Sequence, residues 1–81
     1  MIEAADFIVE LTAIFRQELD ENYLSISMTT VQSDLDSWDS LAHVRIVMAL
    51  ERAYGIQFDV TEIETINSVR GFYDAVNRQL G

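Results

Sequence analysis

Two serines lie in the stretch DSWDS, residues 36–40, where a polar segment gives way to the apolar pattern LAHVRIVMALERAYGI. Ser40 opens that helical pattern, so its hydroxyl would lie beside free backbone N–H groups and the positive end of the helix dipole. Anionic groups, phosphate included, are stabilised at such a position. Asp39 beside it is a natural N-cap. Ser40 is thus either part of a plain helix start or the anchor of an anionic group, whereas Ser37 belongs to the preceding loop.

The other residue types that commonly carry chemistry are scarce. The chain has no Cys and a single His, His43, so it offers neither a thiol nor a His cluster. We find no nucleophile–base pair, no metal-ligand set and no glycine-rich phosphate loop. Trp38 and His43 are interpreted as a local packing pair. The sequence therefore predicts a protein that is not an enzyme, with no catalytic residues and no metal site.

The charge balance restricts the partners. Fourteen Asp and Glu residues face five basic residues, all of them Arg, which gives a formal net charge of −9. Because contacts to phosphate need a basic surface, we expect no nucleic-acid or anionic-membrane partner. No apolar run approaches the roughly 20 residues of a membrane span, and we expect a soluble, cytoplasmic protein. The acidity has two alternative interpretations. It either attracts partners with basic docking surfaces or only keeps a small domain soluble.

Helical spacing of apolar residues predicts an all-α fold. A first helix is expected over Glu3–Leu19, followed by a long connection over residues 20–39 and a second helix from Ser40 to Gly55. A short third helix is expected over Thr61–Thr65, opened by a capping box of Asp59 and Glu62. A fourth helix starts near Asn67 or Ser68, with apolar positions at Val69, Phe72, Tyr73, Val76 and Leu80. The prediction is one domain, residues 1–81, built as a four-helix bundle of three main helices and a short one, without strands.

The second helix carries two apolar sets. The inner set is Ile46, Val47, Leu50 and Tyr54, and a second set on the side nearest Ser40 is Leu41, Val44 and Met48. A helix at the surface of a small domain needs only one apolar stripe. Periodicity alone leaves two alternatives open: a central, enclosed helix, or a second surface kept for partners.

The stretch LDSWDSLAHVRIVMALERAYGIQF, residues 35–58, resembles the modified-serine region of acyl carrier proteins. The triplet Asp39-Ser40-Leu41 matches that family's Asp-Ser-Leu motif, and the apolar helix and the glycine stop follow as in the family. The resemblance covers essentially the whole chain. It implies a four-helix bundle with a long first loop and a short third helix, in agreement with the prediction from periodicity.

The resemblance also implies a cofactor and a function. Ser40 would carry a covalent 4′-phosphopantetheine, with Asp39 and Leu41 beside it. A phosphopantetheinyl transferase would supply that group from coenzyme A, using Mg²⁺ at the transferase's own site. The group would bring the thiol that this chain lacks and would hold acyl intermediates as thioesters. The partners would be acyl-transferring or synthase enzymes, and the carrier is expected to act as a monomer.

The sequence departs from the acidic carriers of fatty acid synthesis at Arg45 and Arg52, where those proteins usually have Glu on the second helix. Together with Trp38 this departure suggests a specialised pathway, such as polyketide, lipid or modified-sugar assembly. The expected partner-binding residues are Leu41, Val44, Arg45, Met48 and Arg52. A peptidyl or D-alanyl carrier, or a non-covalent helical interaction module, remains an alternative.

Overall fold

The computed structural model describes residues 1–81 and contains four α-helices. They are α1 (Ala4–Glu18), α2 (Ser40–Tyr54), α3 (Val60–Thr65) and α4 (Val69–Leu80), and a 3-10 helix, Gln32–Asp34, lies in the long connection between α1 and α2. The structure has no strand beyond one isolated bridge. This architecture confirms the predicted all-α fold of three main helices and a short one. No helix is long and apolar enough to cross a membrane.

The two ends of α2 follow from local sequence signals. The Asp39 carboxylate accepts a hydrogen bond from the Ala42 N–H at 2.9 Å, which satisfies one of the donors left free at a helix start. At the other end Gly55 adopts a left-handed conformation with φ of 64°, which glycine reaches without the penalty of a Cβ. The helix therefore begins at Ser40, as predicted.

The predicted capping box opens α3. The Glu62 N–H donates to Asp59 Oδ1 at 2.8 Å, and the Asp59 N–H donates to Glu62 Oε1 at 3.1 Å. The helix starts at Val60, one residue earlier than expected. This pair fixes the beginning of a helix that is too short to be stable alone.

The long connection, residues 20–39, is joined to the rest of the protein by backbone hydrogen bonds. The Gln32 N–H donates to the Asn67 carbonyl at 2.8 Å, and the Val69 N–H donates to the Thr30 carbonyl at 3.0 Å. Ile26 and Trp38 in this segment are buried. The connection is therefore part of the core and holds the start of α2 against the start of α4.

The buried apolar side chains form one cluster between α1, α2 and α4, with Trp38 of the connection inside it. The Trp38 ring packs edge-on against Phe15, with ring centroids 4.9 Å apart, and stacks on Phe72 at 6.0 Å. The predicted inner stripe of α2 faces this cluster. Leu80, predicted on the apolar stripe of α4, is instead exposed at the end of that helix.

Candidate functional site

Ser40 is the first residue of α2 and is exposed. The backbone N–H groups of Ser40 and Leu41 have no acceptor within the helix because no helical turn precedes them, whereas the Ala42 N–H donates to the Asp39 side chain. The Ser40 hydroxyl itself makes no hydrogen bond to the rest of the chain. The start of α2 thus presents an accessible hydroxyl beside free N–H donors, at the positive end of the helix dipole.

Ser37 has a different environment. Its hydroxyl donates a hydrogen bond to the Glu21 carboxylate in the same connection, and the residue is half-buried. Of the two serines in DSWDS, only Ser40 has a hydroxyl that is both exposed and uncommitted.

Trp38 and His43 form a buried hydrogen-bonded pair. The indole Nε1–H of Trp38 donates to His43 Nδ1 at 3.0 Å, so Nδ1 carries no proton in this arrangement. The proton therefore lies on Nε2, which donates to the Ile63 carbonyl at 2.8 Å. Both ring nitrogens are occupied, which leaves no free nitrogen to act as a base. The predicted packing role of these two residues is confirmed.

A groove of about 300 Å³ opens beside Ser40, between the connection, α2 and α3. Its lining residues are Gln32, Ser40, His43, Val44, Ile63, Glu64 and Ile66. The sequence did not indicate that Gln32 and Glu64 belong to the site, because neither lies near Ser40 along the chain and neither carries a local motif. A wider hollow of about 510 Å³ lies between Met1 and the last turns of α4, and Ser40 is not part of it.

The second apolar set of α2 forms a surface. Leu41 is 64 % exposed, Val44 45 % and Met48 49 %. These values exclude one of the two alternatives left by the periodicity: α2 is not enclosed, and its outer face is exposed to solvent. We call these three side chains the outer face of α2.

Arg45 and Arg52 are both exposed on α2, but they differ in their ion pairs. Arg45 Nε lies 4.0 Å from a carboxylate oxygen of Glu18 on α1. Arg52 takes part in none of the three ion pairs of the chain. The charge of Arg52 is therefore less compensated within the chain than that of Arg45.

The structure places no group of three or more His, Cys, Asp or Glu side chains where they could hold a metal ion. The carboxylates of the connection do not converge on a common point. The site at the start of α2 is thus made of one hydroxyl, two free N–H groups and a small groove.

Comparison with known proteins identifies the family. The model of the phosphopantetheine attachment site family matches residues 9–76. Polyketide-8 synthase acyl carrier protein 2 of Streptomyces avermitilis is 30 % identical over 78 residues, which cover 86 % of this chain and 90 % of that protein. The chain belongs to the acyl carrier protein family. A carrier of this family holds acyl groups on a covalently attached 4′-phosphopantetheine and is generally not catalytic itself.

A solved carrier structure supports the same conclusion. The solution structure of a holo acyl carrier protein from Geobacter metallireducens superimposes with a TM-score of 0.80 at 34 % sequence identity. The match covers 91 % of this chain and 85 % of that one. Synthase and transferase enzymes are the general partners of such carriers.

The start of α2 fits the carrier's prosthetic group. A phosphodiester on the Ser40 hydroxyl would lie within reach of the free N–H groups of Ser40 and Leu41, where an anion is stabilised. The bound group supplies a terminal thiol for thioester chemistry, which this Cys-free chain cannot provide.

Proposed function

We propose that Ser40 carries the 4′-phosphopantetheine and that the chain presents acyl thioesters to partner enzymes without making or breaking bonds itself. The observation that carries this proposal is the exposed, uncommitted Ser40 hydroxyl at the start of α2. It lies within an Asp-Ser-Leu triplet inside the matched family region. The hydroxyl of Ser37, the nearest competing residue, is committed to Glu21.

Two neighbours support Ser40 in this role. Asp39 caps α2 through the Ala42 N–H, which fixes where the helix starts and therefore where the Ser40 hydroxyl points. Leu41 contributes a free backbone N–H toward the phosphate and an exposed side chain toward the transferase. His43 has no nitrogen left for proton transfer, which is in keeping with a carrier that leaves the chemistry to its partners.

Intact-mass measurement after incubation with coenzyme A and a promiscuous phosphopantetheinyl transferase tests the attachment site. We expect the wild-type chain to gain the mass of one phosphopantetheine and Ser40→Ala to gain none. Ser37→Ala is the matched control and should be modified like wild type. A phosphopantetheine on Ser40→Ala, or the loss of modification in Ser37→Ala alone, would assign the site elsewhere.

The outer face of α2 is proposed as the surface that partner enzymes contact, with Arg45 and Arg52 setting which enzymes bind. An apolar patch flanked by charge suits a transient interface in which apolar contacts give affinity and charge gives selectivity. The likeness to a carrier named for a polyketide synthase supports a specialised biosynthetic pathway rather than general fatty acid synthesis. The cargo we propose is accordingly an acyl group of such a pathway.

A further inference from the structure

We propose that Gln32 is a positioning residue for the modification of Ser40. Its side chain holds the peptide group before Asp39 and so fixes where the Ser40 hydroxyl is presented to the transferase. This inference rests on the proposed attachment at Ser40. The Gln32 side-chain amide donates to the Trp38 carbonyl at 2.9 Å in a partly buried hydrogen bond, and Gln32 and Ser40 line the same groove.

The chemistry of the transfer explains why the position of Ser40 matters. The Ser40 Oγ attacks the phosphorus of coenzyme A that carries the pantetheine. A bond from Oγ to this phosphorus forms, and the bond from the phosphorus to the oxygen that bridges the two phosphates breaks. The adenosine bisphosphate leaves with the electron pair of the broken bond, and the Oγ proton passes to a base of the transferase. The attacking oxygen must lie in line with the leaving group, and a misplacement of about 1 Å can lower the rate by a factor of roughly 10².

Two peptide groups, one on each side of Asp39, locate Ser40. The Trp38 carbonyl belongs to the first peptide group and accepts from the Gln32 side chain. The Asp39 carbonyl belongs to the second and accepts from the His43 N–H at 2.8 Å. Because each peptide group is planar, fixing the two planes fixes both backbone dihedrals of Asp39. The second plane contains the Ser40 Cα, whose position is therefore set before any transferase binds.

The two peptide groups differ in what holds them. The second accepts the first hydrogen bond of α2, so the helix itself fixes it. The first lies before the helix, and its carbonyl accepts from the Gln32 side chain. The N–H of this first peptide group is that of Asp39, and it donates to no acceptor in the chain. The orientation of the first peptide group therefore depends on Gln32.

The aromatic contacts of Trp38 do not replace this hydrogen bond. The indole packs against Phe15 and Phe72, and its Nε1–H donates to His43. These contacts hold the side chain of Trp38 and hence its Cα. They leave the peptide group that follows free to rotate about the Cα–C bond, which is one of the two soft backbone dihedrals of a residue. The hydrogen bond from Gln32 removes that freedom.

Gln32 is itself anchored to the bundle. Its backbone N–H donates to the Asn67 carbonyl at 2.8 Å, in the connection between α3 and α4. The 3-10 helix around it is closed by Asp34, whose carboxylate accepts from the Val31 N–H at 3.0 Å. The Gln32 side chain thus extends from a fixed backbone and links the start of α4 to the segment that precedes Ser40. Such preorganisation spares the transferase the cost of ordering its substrate.

Modification kinetics with coenzyme A and a promiscuous phosphopantetheinyl transferase test the inference, with the carrier as the varied substrate. Gln32→Met has a similar length but no donor. It should lower kcat about fivefold or more and change KM less than about twofold, because it disturbs the hydroxyl and not the outer face of α2. Gln32→Glu, which keeps the shape but cannot donate at neutral pH, should behave in the same way. Wild-type kcat in the Gln32 variants that fold would overturn the proposal.

A matched control separates positioning from stability. Tyr73→Phe also removes a side-chain hydrogen bond between two segments, the bond from the Tyr73 hydroxyl to the Ile2 carbonyl at 2.8 Å, but Tyr73 does not line the groove. Its kcat should equal that of wild type. A loss of kcat in Tyr73→Phe as large as that in Gln32→Met would show that lower stability accounts for the effect.

Backbone amide relaxation of the unmodified carrier separates positioning from a direct contact of Gln32 with the transferase. The Asp39 N–H lies in the peptide group that Gln32 holds. Its order parameter should fall from about 0.85 in wild type to below about 0.7 in Gln32→Met and should not fall in Tyr73→Phe. An unchanged order parameter in Gln32→Met would overturn the positioning role.

The intact mass of the wild-type carrier is measured first, so that the two proposals fail separately. A wild-type chain that is not modified at Ser40 would overturn the attachment site and with it this inference. A wild-type chain modified at Ser40, together with Gln32 variants modified at the same rate, would overturn only the role of Gln32.

Discussion

His43 joins three separate parts of the carrier through a single imidazole ring. It lies on α2, accepts from the Trp38 indole in the connection, and donates to the Ile63 carbonyl on α3. The Trp38 indole is buried and the bond to the Ile63 carbonyl is partly buried, and an unpaired donor or acceptor removed from water loses its hydration without compensation. We therefore expect the ring to contribute to stability through its two hydrogen bonds and not only through its packing.

His43→Phe should lower the free energy of unfolding by about 2 kcal/mol, since it leaves the Trp38 N–H and the Ile63 carbonyl unsatisfied. In a background that already carries Trp38→Phe, the same change should be less damaging by about 1 kcal/mol, because the indole donor is gone. Urea unfolding of wild type, both single variants and the double variant measures this coupling. Additive effects would show that the hydrogen bond does not contribute and that only ring packing matters.

The ionisation of the Tyr54 hydroxyl is expected to lower the stability of the fold at high pH. Burial raises the pKa of the Tyr54 hydroxyl above its ordinary value of 10.0, and the charges of Glu10 and Asp6 raise it further. Because the folded-state pKa is the higher one, the resulting stabilisation is complete below pH 10 and is lost as the pH rises through the folded value. Thermal melting between about pH 8 and pH 11 should therefore fall more steeply for wild type than for Tyr54→Phe. Parallel curves for the two proteins would contradict this assignment.

At the scale of the elements, the helix ends could be predicted because their signals are local. Asp39 and Gly55 indicate the beginning and the end of α2 by residue type alone, and the Asp59–Glu62 pair indicates the start of α3. Each of these residues satisfies backbone groups within its own helix turn. The Asp-Ser-Leu triplet likewise indicated Ser40 without knowledge of the fold.

Features that depend on distant contacts could not be predicted. The 3-10 helix at Gln32–Asp34 forms one wall of the groove beside Ser40, and its segment is held by backbone hydrogen bonds to Asn67 and Val69. Whether the outer face of α2 is covered depends on whether another element packs against it. The spacing of apolar residues within α2 carries no information about that. The exposure of Leu80, 42 % of its surface, likewise does not follow from its place on an apolar stripe.

Gly71 is a position where packing, not helix propensity, decides the residue type. A glycine inside α4 is expected to weaken the helix by about 1 kcal/mol relative to alanine. In the structure, however, a Cβ at this position would lie 3.1 Å from the Ser68 hydroxyl and 3.2 Å from a methyl carbon of Ile66. The Ser68 hydroxyl is held there because it caps α4 through the Gly71 N–H. Close packing at the start of α4 thus accounts for the glycine.

Gly71→Ala should consequently destabilise the carrier, by about 1 kcal/mol, because overpacking typically outweighs the gain in helix propensity. The loss should be smaller when Ser68→Ala has already removed the hydroxyl. Thermal or urea unfolding of the two single variants and the double variant checks both expectations. A more stable Gly71→Ala protein would show that Ser68 and Ile66 can move aside at no cost.

At the scale of the whole molecule, the distribution of charge bears on partner choice. The chain is strongly acidic, with a net charge of −9, yet α2 carries Arg45 and Arg52 against a single acid, Glu51. Complementary charge guides encounter, and like charges across an interface suppress wrong partners. A partner that presents a wholly basic patch to α2 would meet two arginines beside the outer face.

Arg45 and Arg52 are not equivalent as probes of how charge on α2 affects partner choice. Arg45 lies near Glu18, so Arg45→Glu would set like charges beside each other and disturb the contact of α2 with α1. Arg52 has no such partner and lies in the last turn of α2. A cation there is favoured by the helix dipole by about 0.3–1 kcal/mol. Arg52→Glu is therefore the cleaner reversal of charge, with a modest and measurable effect on stability.

Arg52→Glu should raise the turnover of the loaded carrier by a fatty acid synthase transacylase with a basic docking patch and lower its turnover by the cognate enzyme. Because Arg52 is exposed, the proposed contact would lie at a solvated rim, and we expect the change in KM, with kcat nearly constant. Arg70→Glu, an exposed reversal on α4 that also removes the surface ion pair with Asp74 in the same helix, is the control for net charge and should leave both enzymes unaffected. If Arg52→Glu and Arg70→Glu behave alike with both enzymes, overall charge and not the α2 surface governs the choice of partner.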